Sequence, residues 1–330
     1  MRAKSPIRLR AAELCQQFPG TPNRTLAKRL ASECKAITVE QARSHIREVR
    51  GVHGKKSAKT AEAPKAPGKA GQVYEMPKSQ AESWDRYEVA GKSVAILSDI
   101  HVPYHDEVAL TAAVKYCKDR NPDTLLLNGD FADFYSISRW DKNPKNRDLT
   151  AELEAQKACL RWLRQEFHFA EIILKKGNHE ERWDHWLWKH APEISDHPRM
   201  KLEEWLGCEE LGIEIVEDQR PIMLGKLPVF HGHELPKGMT NPVNMARGAY
   251  LRTAHTILVG HGHRTSGHAE PDLWREEVFC WSTGCLCDMR PEYARINKWN
   301  HGFAFVEISQ DKSFDVSNLR IGKDGVVRSS

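Results

Sequence analysis

No stretch of this 330-residue chain approaches the roughly 18–20 consecutive apolar residues of a membrane-spanning helix. The basic start, MRAKSPIRLRAAEL, also lacks the apolar run of a signal peptide, so the chain reads as soluble and cytoplasmic, with no membrane partner. Eight cysteines are present without one C-x-x-C pair. The closest group, Cys280, Cys285 and Cys287, therefore lacks the spacing of a structural zinc site and reads as reduced, partly buried thiols. Between residues 54 and 79, GKKSAKTAEAPKAPGKAGQVYEMPKS almost lacks large apolar side chains, which excludes a packed core and predicts a flexible linker. Internal repeats are absent as well.

Net charge is small, +4, but the sum conceals a division. Residues 1–80 hold 17 Lys and Arg against 6 Asp and Glu, a charge of +11, which leaves 32 against 39, or −7, for the remainder. A basic front on a mildly acidic body points to a polyanionic partner for the front alone.

That front reads as three short helices. The first covers 7–18; Thr21-Pro22 then offers an N-cap and a first-turn proline for NRTLAKRLASEC. Thr38 and Gln41 have the form of a capping box opening VEQARSHIREVR, with Val39, Ala42 and Ile46 on one face and Arg43, Arg47 and Arg50 outside it. Two helices across a short turn resemble a helix-turn-helix, so residues 1–52 are expected to bind DNA through those arginines. A small basic bundle without a nucleic-acid partner is the alternative.

From residue 93 the pattern changes. SVAILSD, TLLLNGD, EIILKKGN, LPVFHGH and TILVGHGH read as strands alternating with helices at 107–120, 149–167, 180–190 and 243–255. EVFCWST, GFAFVEI and SFDVSNL follow as strands without helices between them, which gives a layered α/β domain around mixed sheets. Three units result: a helix-turn-helix-like domain at 1–52, a linker at 53–80 and a body at 81–330.

Each of the first five strands ends in side chains of metal-ligand type. Asp99 and His101 come first, then Asp130 and Asp133, Asn178 and His179, His231 and His233, and finally His261 and His263. Strand ends of a layered α/β fold converge on one edge, where ligands bind. Glycines beside them, Gly129, Gly177, Gly232, Gly260 and Gly262, permit the tight turns such convergence needs. Carboxylate, imidazole and amide oxygen together suit Mn, Fe or Zn and are too rich in nitrogen for a dedicated Ca or Mg cage. Asp130 is the natural bridge between two ions about 3.5–4 Å apart.

The ordered blocks D-I-H, G-D-F-A-D, G-N-H-E, H-G-H and G-H-G-H, each behind an apolar strand, resemble the calcineurin-like metallophosphoesterase superfamily over roughly residues 93–310. The resemblance implies a four-layer α/β/β/α sandwich and two divalent cations, Mn2+ first, with Fe, Zn or Ni as alternatives. It places one ion on Asp99, His101, Asp130 and His263, the other on Asp130, Asn178, His231 and His261, and His179 near the leaving group as a catalytic histidine. A water or hydroxide between the ions would attack phosphorus, and an imidazolium at His179 would protonate the departing alkoxide. Asp133 and Glu180 are expected to orient ligands, and Arg182 and Arg264 to contact the phosphoester.

Other residues read more plainly. His105, His185, His190, His255, His268 and His301 are ordinary surface or core histidines by default, and His233 is left open. Trp183, Trp186 and Trp188 are expected to cover a helix against the core, although they could stack bases. The segment 190–208 is long enough for a lid or cap beside the site. The combined expectation is a dinuclear phosphodiesterase or nuclease acting on DNA, of the kind a phage DNA-processing enzyme would be. A phosphomonoesterase or cyclic-nucleotide phosphodiesterase on small substrates, and a non-catalytic DNA-binding protein with a structural metal domain, stand as alternatives. Oligomeric state is left open.

Overall fold

The computed structural model describes residues 5–51, 76–217, 219–236, 243–271 and 273–329. Most of the expected linker, residues 53–75, lies outside them, and residues 76–80 take no regular structure. The chain divides into two compact units, Met1–Ala81 and Glu82–Ser330.

In the first unit, helices α1 (Pro6–Gln17), α2 (Asn23–Glu33) and α3 (Val39–Val49) share one apolar cluster. Ala11 and Leu14, Leu26 and Leu30, Ala42 and Ile46 supply it at the three- and four-residue spacings of a helix face. The capping box forms as expected: Thr38 Oγ1 accepts from the Gln41 amide at 3.3 Å, and Gln41 Oε1 accepts from the Thr38 amide at 2.9 Å. Thr21 does not cap α2, because the cap position falls on Pro22, which has no side-chain oxygen to offer. Val39 is 37% exposed, so the buried stripe of α3 narrows to Ala42 and Ile46. Arg50 also departs from expectation. Its guanidinium donates to Asn23 Oδ1 at 2.6 Å and to the Phe18 and Pro19 carbonyls at 3.0 Å each, tying the end of α3 to the α1–α2 turn. Arg43 sits 3.5 Å from Glu40, and Arg47 lies in the last turn of α3.

The second unit runs β1 (Tyr87–Val89), β2 (Ser93–Leu97), α4 (Glu107–Lys118), β3 (Thr124–Asn128), α5 (Leu149–Glu166), β4 (Glu171–Lys175) and α6 (Glu181–His190). Then come α7 (Leu202–Leu206), α8 (Cys208–Leu211), β5 (Ile213–Val216), β6 (Ile222–Leu224), β7 (Leu227–Phe230), α9 (Met245–Thr253) and β8 (Ile257–Val259). It closes with β9 (Ser266–Pro271), β10 (Glu277–Ser282), β11 (Gly302–Ile308), β12 (Phe314–Ile321) and β13 (Val327–Ser329). Seven strands form one sheet in the order β13, β12, β11, β2, β3, β4, β5; six form the other in the order β1, β6, β7, β8, β10, β9.

The period of two along each strand explains the layers. Val94, Ile96 and Leu126 point from the first sheet onto Ile222, Val229 and Leu258 of the second, closing one core between the sheets. Ala95, Leu97, Leu125 and Leu127 point the other way, onto α4 and α5. Ala246 and Ala249 of α9 cover Ile257, Val259 and Cys280 on the outer face of the second sheet. The result is the expected α/β/β/α sandwich. Both faces of its central strands are apolar, and each fully buried aliphatic chain there contributes about 1.5–3 kcal/mol.

The 190–208 segment corrects the expectation of a lid. Leu202, Leu206 and Cys208 are buried in the core over the first sheet, and Trp183 Nε1 donates to the Met200 carbonyl at 2.6 Å, so the segment extends the helical layer. Of the three tryptophans of α6, Trp183 is 4% exposed between Phe134 and Trp205, Trp186 is half-buried, and Trp188 is 59% exposed. Core packing therefore describes the first, part of the second and not the third.

Candidate metal centre

β2, β3 and β4 are parallel neighbours in one sheet, and β7 and β8 are parallel neighbours in the other. Their carboxyl ends carry all five pairs of chemical residues to one edge of the sandwich. The backbone there is unusual. Asp99, His101, Asp130, His261 and His263 all hold left-handed φ values between +51° and +60°, a conformation that costs a side-chain-bearing residue about 1–3 kcal/mol. Glycines relieve the crowding where no side chain fits: a Cβ at Gly129 would stand 2.5 Å from the His231 ring, and one at Gly177 would stand 2.4 Å from Asp130 Oδ1.

The side chains converge on Asp130. Its Oδ2 is 3.2 Å from His231 Nε2 and 3.9 Å from both His101 Nε2 and His179 Nε2. His263 Nε2 lies 3.1 Å from Asp99 Oδ1 and 3.3 Å from His101 Nε2. Two groups have ligand atoms within 4.8 Å of one another around Asp130, one with His101 and His179, the other with His231 and His261. Burial alone would raise the Asp99 carboxyl, but the facing His263 imidazole outweighs it and holds the carboxyl below its ordinary value. In return, although burial opposes it, Asp99 pushes His263 up to about 10, and Asp130 does the same for His231, also to about 10.

A ring of polar groups fixes these side chains. Asp133 Oδ1 accepts from His101 Nδ1 at 2.9 Å, which turns the Nε2 of that ring inward. Glu180, fully buried, accepts from the Asp130, Ala132 and Gly177 amides at 2.9, 2.8 and 2.8 Å, so it joins the turns after β3 and β4. Burial first, then the Asp130 charge, pushes its carboxyl above the ordinary value. The Ser98 hydroxyl donates to Asp99 Oδ2 at 2.6 Å, and the His261 amide donates to the same oxygen at 2.9 Å.

His179 is placed in the site, but its proton is not where the leaving-group role requires it. The Asp133 carbonyl can only accept, so His179 Nδ1 donates to it at 2.9 Å; Arg182 Nη2 can only donate, so His179 Nε2 accepts from it at 2.8 Å. In this arrangement the cation beside the centre is Arg182, which also donates to the Asp133 carbonyl at 2.8 Å. Arg264 is turned away from the phosphoester site: its guanidinium holds the Val243 carbonyl at 3.1 Å and the Met245 sulfur at 3.6 Å at the start of α9. His233 has both ring nitrogens against carboxylates, Glu181 at 3.0 Å and Glu234 at 3.2 Å, and so stands outside the ligand cluster.

Three participants escaped the sequence reading. Glu234 accepts from the His231 and Gly232 amides at 3.0 and 2.6 Å and repeats the part of Glu180 on the other sheet. Lys175, buried at the end of β4, balances it at 3.2 Å; a lysine closing the apolar run EIIL was the signal. Cys287 approaches His263 Nδ1 at 3.9 Å and joins His101 and His263 in a third group of ligand type.

The residues fit divalent cations on a structural criterion. Asn178 Oδ1 is buried without a hydrogen-bond partner, and Asp99 Oδ1 and His231 Nε2 make no well-aligned hydrogen bond beyond their close contacts with His263 and Asp130; all three are expected ligand atoms. Orphaned buried polar atoms are rare in folded proteins, and an ion supplies what they lack.

Residues 92–295 match the calcineurin-like phosphoesterase family, and the chain belongs to that family. It is accordingly a metal-dependent phosphoesterase, a hydrolase of phosphoester bonds. Gene 54 protein of Mycobacterium phage L5 is 26% identical over an alignment of 234 residues that covers 66% of this chain and 89% of the relative. Among solved structures, a Vps29 variant from Entamoeba histolytica shares 15% identity with a TM-score of 0.35, over 72% of this chain and 97% of that one. Yfce, a phosphoesterase from E. coli, shares 16% with a TM-score of 0.31, over 67% and 96%. Among the described residues, no helix is long and apolar enough to cross a membrane.

Proposed function

We propose that the chain is a dinuclear phosphodiesterase that cuts DNA, and that its basic first unit binds DNA. The observation that carries the hydrolytic centre is the convergence of buried carboxylate and imidazole groups on Asp130, with the Asn178 amide oxygen buried beside them and unpartnered. One ion falls to Asp99, His101, Asp130 and His263, the other to Asp130, Asn178, His231 and His261. Divalent cations there, Mn2+ first, would lower the pKa of a coordinated water and neutralise charge on the phosphoryl oxygens. Asp133 holds His101, Glu180 holds the Asp130 turn, and Arg182 occupies the His179 ring nitrogen. For His179 to act as an acid, Arg182 must swing aside as substrate enters and leave Nε2 free to take up a proton.

Support for a DNA substrate comes from the charge of +11 on residues 1–80, the capped α3 carrying Arg43 and Arg47, and the phage source of a relative. The test is hydrolysis of bis-p-nitrophenyl phosphate, p-nitrophenyl phosphate and labelled single- and double-stranded DNA with Mn2+. The wild type is compared with Asp130→Ala and His179→Ala. Diester and DNA cleavage abolished by Asp130→Ala, and cut by about 100-fold or more in His179→Ala, is the expected result. Turnover of the monoester alone would sink the reading and make the protein a phosphatase.

A further inference from the structure

Beside the metal centre, on the side of Asn178, a cleft of about 510 Å³ opens between α6 and the irregular stretch that follows β3. Its walls bear cations that no ion pair holds. Arg139, Lys142 and Lys189 line it with Glu181, whose carboxylate is held by His233 and Gln219; among the described residues no carboxylate lies within ion-pair distance of the three cations, and the Lys142 ammonium donates to the Ser138 carbonyl. Nearby Lys176, by contrast, is held by Asp184 at 3.0 Å and by Glu217. Burial first, and then the neighbouring cations Arg147 and Arg182, lower the Lys142 ammonium below its ordinary value against the opposing pull of Asp141. Such crowding of like charge costs stability, and it stands on a body whose net charge is −7.

Aromatic rings alternate with these cations. Trp140 is 64% exposed, with the Arg139 guanidinium 4.8 Å from its ring centroid, and half-buried Trp186 faces the same cleft beside His190. The stretch that carries Arg139, Trp140 and Lys142 belongs to residues 129–148, a connection far longer than the usual few residues and built of two short turns of 3-10 helix. It is anchored where it leaves the core, by buried Phe134 and by Glu152 Oε1, which accepts from the Ser136 amide at 2.9 Å. Backbone-tracking cations with interleaved aromatic faces are the chemistry of single-strand binding, since the faces of bases in a duplex are already stacked. Asn178 and Arg182 are among its lining residues, so the cleft borders the candidate metal centre.

We infer that this cleft binds single-stranded nucleic acid on one side of the scissile phosphate. Phosphates lie on Arg139, Lys142 and Lys189, and bases stack on Trp140 and Trp186. The assignment rests on the nuclease reading above and deepens it: the enzyme takes its phosphodiester from within a strand or from a strand end threaded past α6.

The experiment uses the full chain loaded with Mn2+, a labelled 20-nucleotide oligo-dT, the same sequence as a duplex with oligo-dA, and bis-p-nitrophenyl phosphate. It compares wild type, Trp140→Ala and the double variant Arg139→Ala/Lys189→Ala. In both variants kcat/KM on the single strand, taken as a ratio to that on the small diester, is expected to fall by about ten-fold or more. In the double variant the slope of log kcat/KM against log salt should also become shallower by about 1.4, or about 0.7 for each lost phosphate contact. An unchanged ratio and slope would overturn the cleft, as would an equal fall on the duplex. A wild type that hydrolyses the small diester but neither oligonucleotide would overturn the nuclease reading itself, a separable result because it appears before any substitution is made.

Discussion

Glu180 touches no expected ligand side chain, yet three backbone amides from two different turns end on its carboxylate. Its weight in the site is geometric. Glu180→Gln keeps the volume and replaces one acceptor oxygen with a donor facing those amides, so metal affinity is expected to fall by about 10–100-fold while the fold persists. Calorimetric titration with Mn2+ beside a far-ultraviolet spectrum checks both halves. Protons give a second prediction at this scale. His231 and His263 are raised to about 10, so at neutral pH each holds a proton that a cation must displace. The affinity for each cation should therefore rise about ten-fold per pH unit between pH 6 and 8, with roughly one proton released per ion in buffers of different ionisation enthalpy. A flat profile would mean that those rings are already neutral.

At the scale of elements, Trp183 joins α6 to the segment that leads into α7, through Phe134, Trp205 and the Met200 carbonyl. Trp183→Ala should cost about 3–5 kcal/mol in chemical denaturation, while Trp188→Ala, at an exposed ring on the same helix, should cost a small fraction of that. How far elements could be read from sequence follows from their burial. β2, β3 and β4 were legible because both faces of each are covered, which makes an unbroken apolar run ending in a ligand. β1, β6 and β9 were not. β1 and β6 are three residues long, and β9, SGHAEP, is an edge strand with little buried surface, so no apolar pattern marks it. The strand-end residues that converge at the site were legible as motifs, whereas the partners of His179, Arg264 and Arg50 depend on where long side chains turn, which spacing does not determine. Glu234 was hidden for another reason: its work is on backbone amides, which every residue has.

For the whole molecule, the basic first unit and the acidic body are expected to act on one polymer. Removing residues 1–80 should lower kcat/KM on long DNA by about ten-fold or more and leave bis-p-nitrophenyl phosphate hydrolysis within about two-fold, because tethering changes only local concentration. Equal loss on both substrates would show that the front supports the body's structure instead. The centre has a mechanical side too. Asp99, His101, Asp130 and Asn178 belong to strand ends of the first sheet, and His231, His261 and His263 to those of the second. A cation held between them would fasten the two halves of the sandwich along one edge like a clasp on a folded book. Chelation should therefore let that edge fray before the apolar spine between the sheets gives way. Amides near Gly129, Gly177 and Gly260 would then exchange faster while those of β2 and β3 stay protected.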